Sequence, residues 1–236
     1  MPLASARAAL AVVFVALVPM FAGCRGAAPA AIPTVSDGTP LPAPTLTPAL
    51  VRRLEMAEQR VVQERGLAAT HQTNRQVVSR PQLRRIFEDD IKPEDLEQIA
   101  VQQELLRFLR LIGEKDDLRA LLLDLQVEQV LGFYDTETDE LSIVSDASKF
   151  GHLEEFTYAH EYTHALQQAH FDIHAKSDAV RDDSEASLAL TALIEGDATV
   201  SASLYAQRYL DARQIQREAD QLLSNSKDFP DFIQAA

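Results

Sequence analysis

The chain has 236 residues, enough for one or two domains with a full hydrophobic core, so it needs no covalent staples to fold. Its 22 basic and 36 acidic side chains give a formal charge of −14, which repels phosphate backbones and argues against nucleic acid as a partner. The single cysteine, Cys24, excludes a disulfide framework, a cysteine-built zinc site and an iron–sulfur cluster, leaving histidine and carboxylate as the side chains able to hold a metal.

Residues 1–23 carry one charge, Arg7, then a 13-residue apolar run from Ala8 to Met20, then small residues ahead of Cys24. That is the layout of an export signal. The run is shorter than the ~20 apolar residues that span a bilayer. The stretch Phe21-Ala22-Gly23-Cys24 resembles a bacterial lipoprotein processing site, although Phe21 stands where that pattern usually carries leucine. The resemblance implies cleavage before Cys24, lipidation of its thiol, and a chain anchored to a membrane of the cell envelope on the extracytoplasmic side. Residues 24–48 are rich in Pro, Ala and Thr with little to bury, the composition of an extended tether.

From Ala49 to about Leu67 apolar residues recur at helical spacing, and Gly66 marks the end. A second helix is expected from Pro81 after Ser79. A third opens at Pro93-Glu94-Asp95 and runs to Gly113, where proline and acids suit a first turn. A fourth spans about Asp116 to Val127, with Leu118, Leu121, Leu122 and Leu125 on one stripe. These helices form an N-terminal region, 49–127, with no chemistry of its own. The period then changes: Val130–Tyr134 and Glu140–Ser145 read as a β-hairpin opening a second region, 128–236. The expected class is α+β, predominantly helical.

Residues 160–164 read His-Glu-Tyr-Thr-His. Two histidines four apart on a helix are ~40° apart around the axis and ~6 Å along it, so both rings reach one ion. Glu161 projects beside that ion without ligating it, placed to act as a general base. Two imidazoles and a carboxylate suit Zn2+ and leave a fourth position open, which is the mark of a catalytic site.

Two residues compete to be the third ligand. His170 lies ten residues after His160, the metzincin spacing, but Gln167 stands at the metzincin glycine position. Without that break the helix continues, carrying His170 ~120° around and ~9 Å beyond His164. Glu195 fits better. It and Asp197 are the only charges between Ala186 and Leu204, and a carboxylate in such surroundings needs a cation. Glu195 shares its helix face with Leu188, Ala192, Thr199, Ala202 and Ala206, mostly small residues that let this helix approach the His-Glu-Tyr-Thr-His helix closely. Asp197 points ~200° away; it either supports a metal-bound histidine or makes an ordinary hydrogen bond.

The motif with a glutamate ligand on a later helix resembles the gluzincins, the thermolysin-like branch of zinc metallopeptidases. Thr157 to Leu166 is similar to the extended zinc-peptidase pattern, and Glu195-Gly196-Asp197-Ala198 to the stretch around the third ligand in aminopeptidases of that branch. The resemblance covers roughly residues 130–204. It implies a zincin-like catalytic core, metal ligands His160, His164 and Glu195, and Glu161 as catalytic base. In that family a short edge strand ahead of the active helix pairs with the substrate main chain, and Glu140–Ser145 is similarly placed. Two features depart from it: the connection from His164 to Glu195 is longer, and Thr199 stands where thermolysin-like enzymes carry an aspartate. The oxyanion-stabilising group is unassigned among Tyr158, Tyr162, Tyr205, Tyr209, His170 and His174. The expected activity is zinc-dependent hydrolysis of peptide or protein substrates outside the cytoplasm. Its rivals are a zinc-binding envelope module without turnover that scaffolds a partner, and a zinc hydrolase of non-peptide amides or esters. Asp231-Phe232-Ile233-Gln234 reads as the start of another helix and leaves open a continuation beyond Ala236.

Overall fold

The computed structural model describes residues 46–91, 93–144 and 150–225. The expected export signal, Cys24, the tether up to residue 45 and the helix start at Asp231 lie outside the described residues. What is described is α+β and mostly helical, with one three-stranded sheet.

Helix α1 (Pro48–Arg65) begins one residue before the expected boundary. Thr47 Oγ1 caps it by accepting from Leu50 N at 3.2 Å, and Pro48 tolerates the first turn because no amide is needed there. Leu50, Leu54, Ala57 and Val61 form its buried stripe. Gly66 ends it in the left-handed region, at φ 71°, donating to Val62 O. Strand β1 (Asn74–Val78) follows, then α2 (Arg80–Asp90), whose start is a reciprocal cap between Ser79 and Gln82.

Helix α3 (Pro93–Phe108) stops short of the expected Gly113, since Arg110 adopts a positive φ of 59° and the chain turns there. Helix α4 (Leu118–Gln129) starts under Asp117, whose carboxylate accepts from Ala120 N. Strands β2 (Gly132–Asp135) and β3 (Glu140–Val144) form the expected hairpin. The sheet corrects one expectation. Its order is β1-β3-β2, so β3 is the middle strand, parallel to β1 with Val77 opposite Ile143 and antiparallel to β2. A strand paired on both sides has no free ladder, and β2 is the edge beside the helix that carries His160 and His164.

Helix α5 (His152–Phe171) is buried nearly all round, as a helix at the centre of a fold must be. Its first turn is held from two sides: Glu154 accepts from Gly151 N at 2.8 Å, and Glu218 accepts from Leu153 N at 2.7 Å. Glu218 belongs to α8 (Ala212–Asn225), which together with the short α6 (Ile173–Ala179) goes unmarked in the sequence pattern. Helix α7 (Ser184–Tyr209) lies along α5 and buries Ala198, Ser201, Ala202 and Tyr205. Glu155 joins α1, α5 and α7: it is 5% exposed and takes Arg53 Nε and the Tyr205 hydroxyl, each at 2.6 Å. The boundary expected at 127/128 does not divide two cores, because Leu54, Val61 and Val77 pack in one cluster with Leu141, Tyr158 and Leu166.

Candidate metal centre

Side chains leave α5 in three directions. Tyr158 and Tyr162 enter the core, their rings stacked 6.3 Å apart. Thr157 and Glu161 face β2, where Gly132 permits a close approach: a Cβ on it would sit 3.1 Å from Ser142 O and 3.6 Å from Glu161 Cγ. His160, His164 and Gln167 face α7.

There they meet Glu195. Its Oε2 lies 3.2 Å from His160 Nε2 and 3.7 Å from His164 Nε2, and the two Nε2 atoms are 3.2 Å apart. Three donors held about 2.0–2.1 Å from a tetrahedral ion sit about 3.3 Å from each other, so the triangle has the size such an ion requires. With neutral rings, three lone pairs converging on one point are stable only around a cation or a proton. The histidine side chains are 11% exposed and Glu195 24%, so the group is buried but borders solvent. His160, His164 and Glu195 could therefore hold a metal ion.

The same convergence governs protons. Burial would depress the His164 imidazole, but the Glu195 hydrogen bond and the charges of Glu161 and Glu195 outweigh it and hold it up at about 9. Burial would likewise raise Glu195, yet the two histidines bring it down to about 2. Glu161 stays outside the triangle. Its Oε2 accepts from the Tyr134 amide at 3.1 Å, and burial pushes its carboxyl above the usual range against the pull of the two histidines.

Other expected candidates lie elsewhere. His170 is exposed and turned to Ala68 O at 2.7 Å, because α5 does continue past Gln167 as its sequence suggests. His174 sits on α6 beside Asp178. The hydroxyls of Tyr158, Tyr205 and Tyr209 are committed to Glu58, Glu155 and Glu64, away from the triangle. Asp197 does not join the triangle; it accepts from Gln167 Nε2 at 2.8 Å and from Arg65 Nε at 3.0 Å.

Sequence reasoning does not single out Arg65, Gly132, the Tyr134 amide or Gln167 as neighbours of the site. Only Gln167 carries a usable clue, since a residue three places after His164 on a helix lies beside it. Comparison of the chain with protein-family models, curated proteins and solved structures gave no match.

Proposed function

We propose that this chain is a zinc-dependent hydrolase of peptide bonds, of the gluzincin type, exported and anchored through Cys24. The observation that carries the reading is the triangle of His160, His164 and Glu195 at tetrahedral spacing, with Glu161 beside it but not in it. Zinc, when bound, supplies a Lewis acid that polarises a carbonyl and brings the pKa of water towards ~7. Glu161 would accept the proton that attacking water loses and return it to the leaving amine. The Tyr134 amide fixes one of its oxygens, leaving the other for the proton.

A peptide substrate is favoured by the β2 edge. Leu131 O accepts from Val144 N, so by the alternation of an antiparallel ladder the main-chain groups of Gly132 and Tyr134 point away from β3. Tyr134 N is taken by Glu161; the Gly132 groups and Tyr134 C=O are positioned for an extended chain laid beside Glu161.

The test is elemental analysis of the purified protein together with a peptide-cleavage assay. One zinc per chain is expected, lost or much weakened in His160→Ala and Glu195→Ala and kept in His170→Ala. Glu161→Gln is expected to keep zinc and lose about 10²–10⁴-fold in cleavage rate. Zinc that ignores Glu195, or cleavage unchanged in Glu161→Gln, overturns the proposal; zinc binding with no hydrolysis of any substrate favours the scaffolding module instead.

A further inference from the structure

Gln167 is 3% exposed, and its amide makes three contacts. Nε2 lies 3.0 Å from Ile194 O and 2.8 Å from Asp197 Oδ2, while Oε1 lies 2.9 Å from His164 Nδ1. A carbonyl and a carboxylate can only accept, so the end of the amide facing them must be the NH2. The flipped amide would set its oxygen against two acceptors in a buried place. Oε1 therefore faces His164 and needs a donor, which only a protonated Nδ1 supplies. With that proton on Nδ1, the lone pair of the neutral ring sits on Nε2, the atom turned to His160 and Glu195.

We infer that Gln167 is a positioning residue that locks His164 in the Nδ1–H form with Nε2 free to ligate, and that Asp197, braced by Arg65, sets the direction of that lock. The brace reaches across the fold: Arg65 is the last residue of α1, Asp197 is on α7 and Gln167 on α5. The chain thus supports one histidine through a neutral amide. Among the described residues His160 Nδ1 has no hydrogen-bond partner, so the lock acts on one ring of the pair. The consequence for zinc rests on the proposed function; the tautomer does not.

Two measurements test it on the whole chain with Gln167→Met, which keeps volume without the amide, and Asp197→Asn, whose own NH2 can face Gln167 and let that amide turn over. Two-bond 1H–15N correlations of the metal-free protein at alkaline pH, where the ring is neutral, are expected to show Nδ1–H for His164 in the wild type and a mixture in both variants. Competition with a chromogenic chelator is expected to show zinc affinity reduced about 10–100-fold in the variants, the usual effect of losing a partner behind a metal-ligating histidine. A wild-type His164 protonated on Nε2, or variants with wild-type zinc affinity, overturns the inference. A wild type with the Nδ1–H form that takes up no zinc sinks the hydrolase reading while upholding the positioning role.

Discussion

Glu195 and His164 hold each other's charge, and pH reaches the fold through them. The carboxyl of Glu195 falls from an ordinary 4.5 to about 2, so the stability it contributes is fully present above 4.5 and lost as pH falls towards 2. The His164 imidazole rises from 6.5 to about 9, so its contribution is full below 6.5 and lost as pH rises through 9. The two shifts overlap in the Glu195–His164 contact, while His160 also lowers the first and Glu161 also raises the second. For the metal-free protein, urea unfolding of wild type against Glu195→Gln should therefore show the largest wild-type advantage between pH 4.5 and 6.5, shrinking on either side. An advantage independent of pH would mean that the pair is not ionised as described. At this scale the sequence was informative about ligand types and spacing, because helix geometry alone sets where i and i+4 point. It marked Asp197 without finding its partners and was silent about Arg65, which lies 132 residues away and meets Asp197 only in the folded chain.

Between elements, the decisive contact is α5 against α7. Ala198, Ser201 and Ala202 keep the helices close, and the Ser201 hydroxyl donates to Thr163 Oγ1 at 3.1 Å across the seam, since the Thr163 proton is taken by Ala159 O at 2.8 Å. Ala202 is fully buried, so Ala202→Leu should push the helices apart, costing about 1–3 kcal/mol by overpacking and weakening metal affinity as Glu195 withdraws. Chemical denaturation and metal titration measure the two effects; Leu204→Ala, on the exposed side of α7, should spare the metal affinity. The sequence anticipated a close approach through Leu188, Ala192, Thr199, Ala202 and Ala206, but of these only Ala202 is buried in the seam, which runs instead through Ala198, Ser201, Ala202 and Tyr205, and Leu188 is 65% exposed. The sheet was less readable. In β1, Asn74-Arg75-Gln76 precede two valines, and the Arg75 side chain, 7% exposed, is paired by Glu58, which accepts from its Nε and Nη2 at 2.6 and 2.7 Å. Nothing local marks such a segment as a strand, and without β1 the hairpin leaves β3 looking like an edge.

Across the molecule, burial is uneven. The principal cluster runs from α1 through β3 and α5 to Tyr205, while Ile99, Ile112 and Leu118 form a small satellite under α3 and α4. Helix α3 leaves Val101, Leu105 and Phe108 at 72%, 55% and 82% exposed. Amide hydrogen exchange should accordingly find α3 opening at a lower free energy than α5, through local rather than global unfolding; equal protection would show that the satellite and the main core unfold together. The triangle belongs to the well-buried part, and its members come from two helices that meet only when that part is formed. An ion can then bind the folded chain far better than the unfolded one, and free zinc at a thousand times its dissociation constant would add about 4 kcal/mol to stability. Metal supply in the surrounding compartment would thereby set the lifetime of the protein: a starved chain opens more often, and an open chain is what proteases remove.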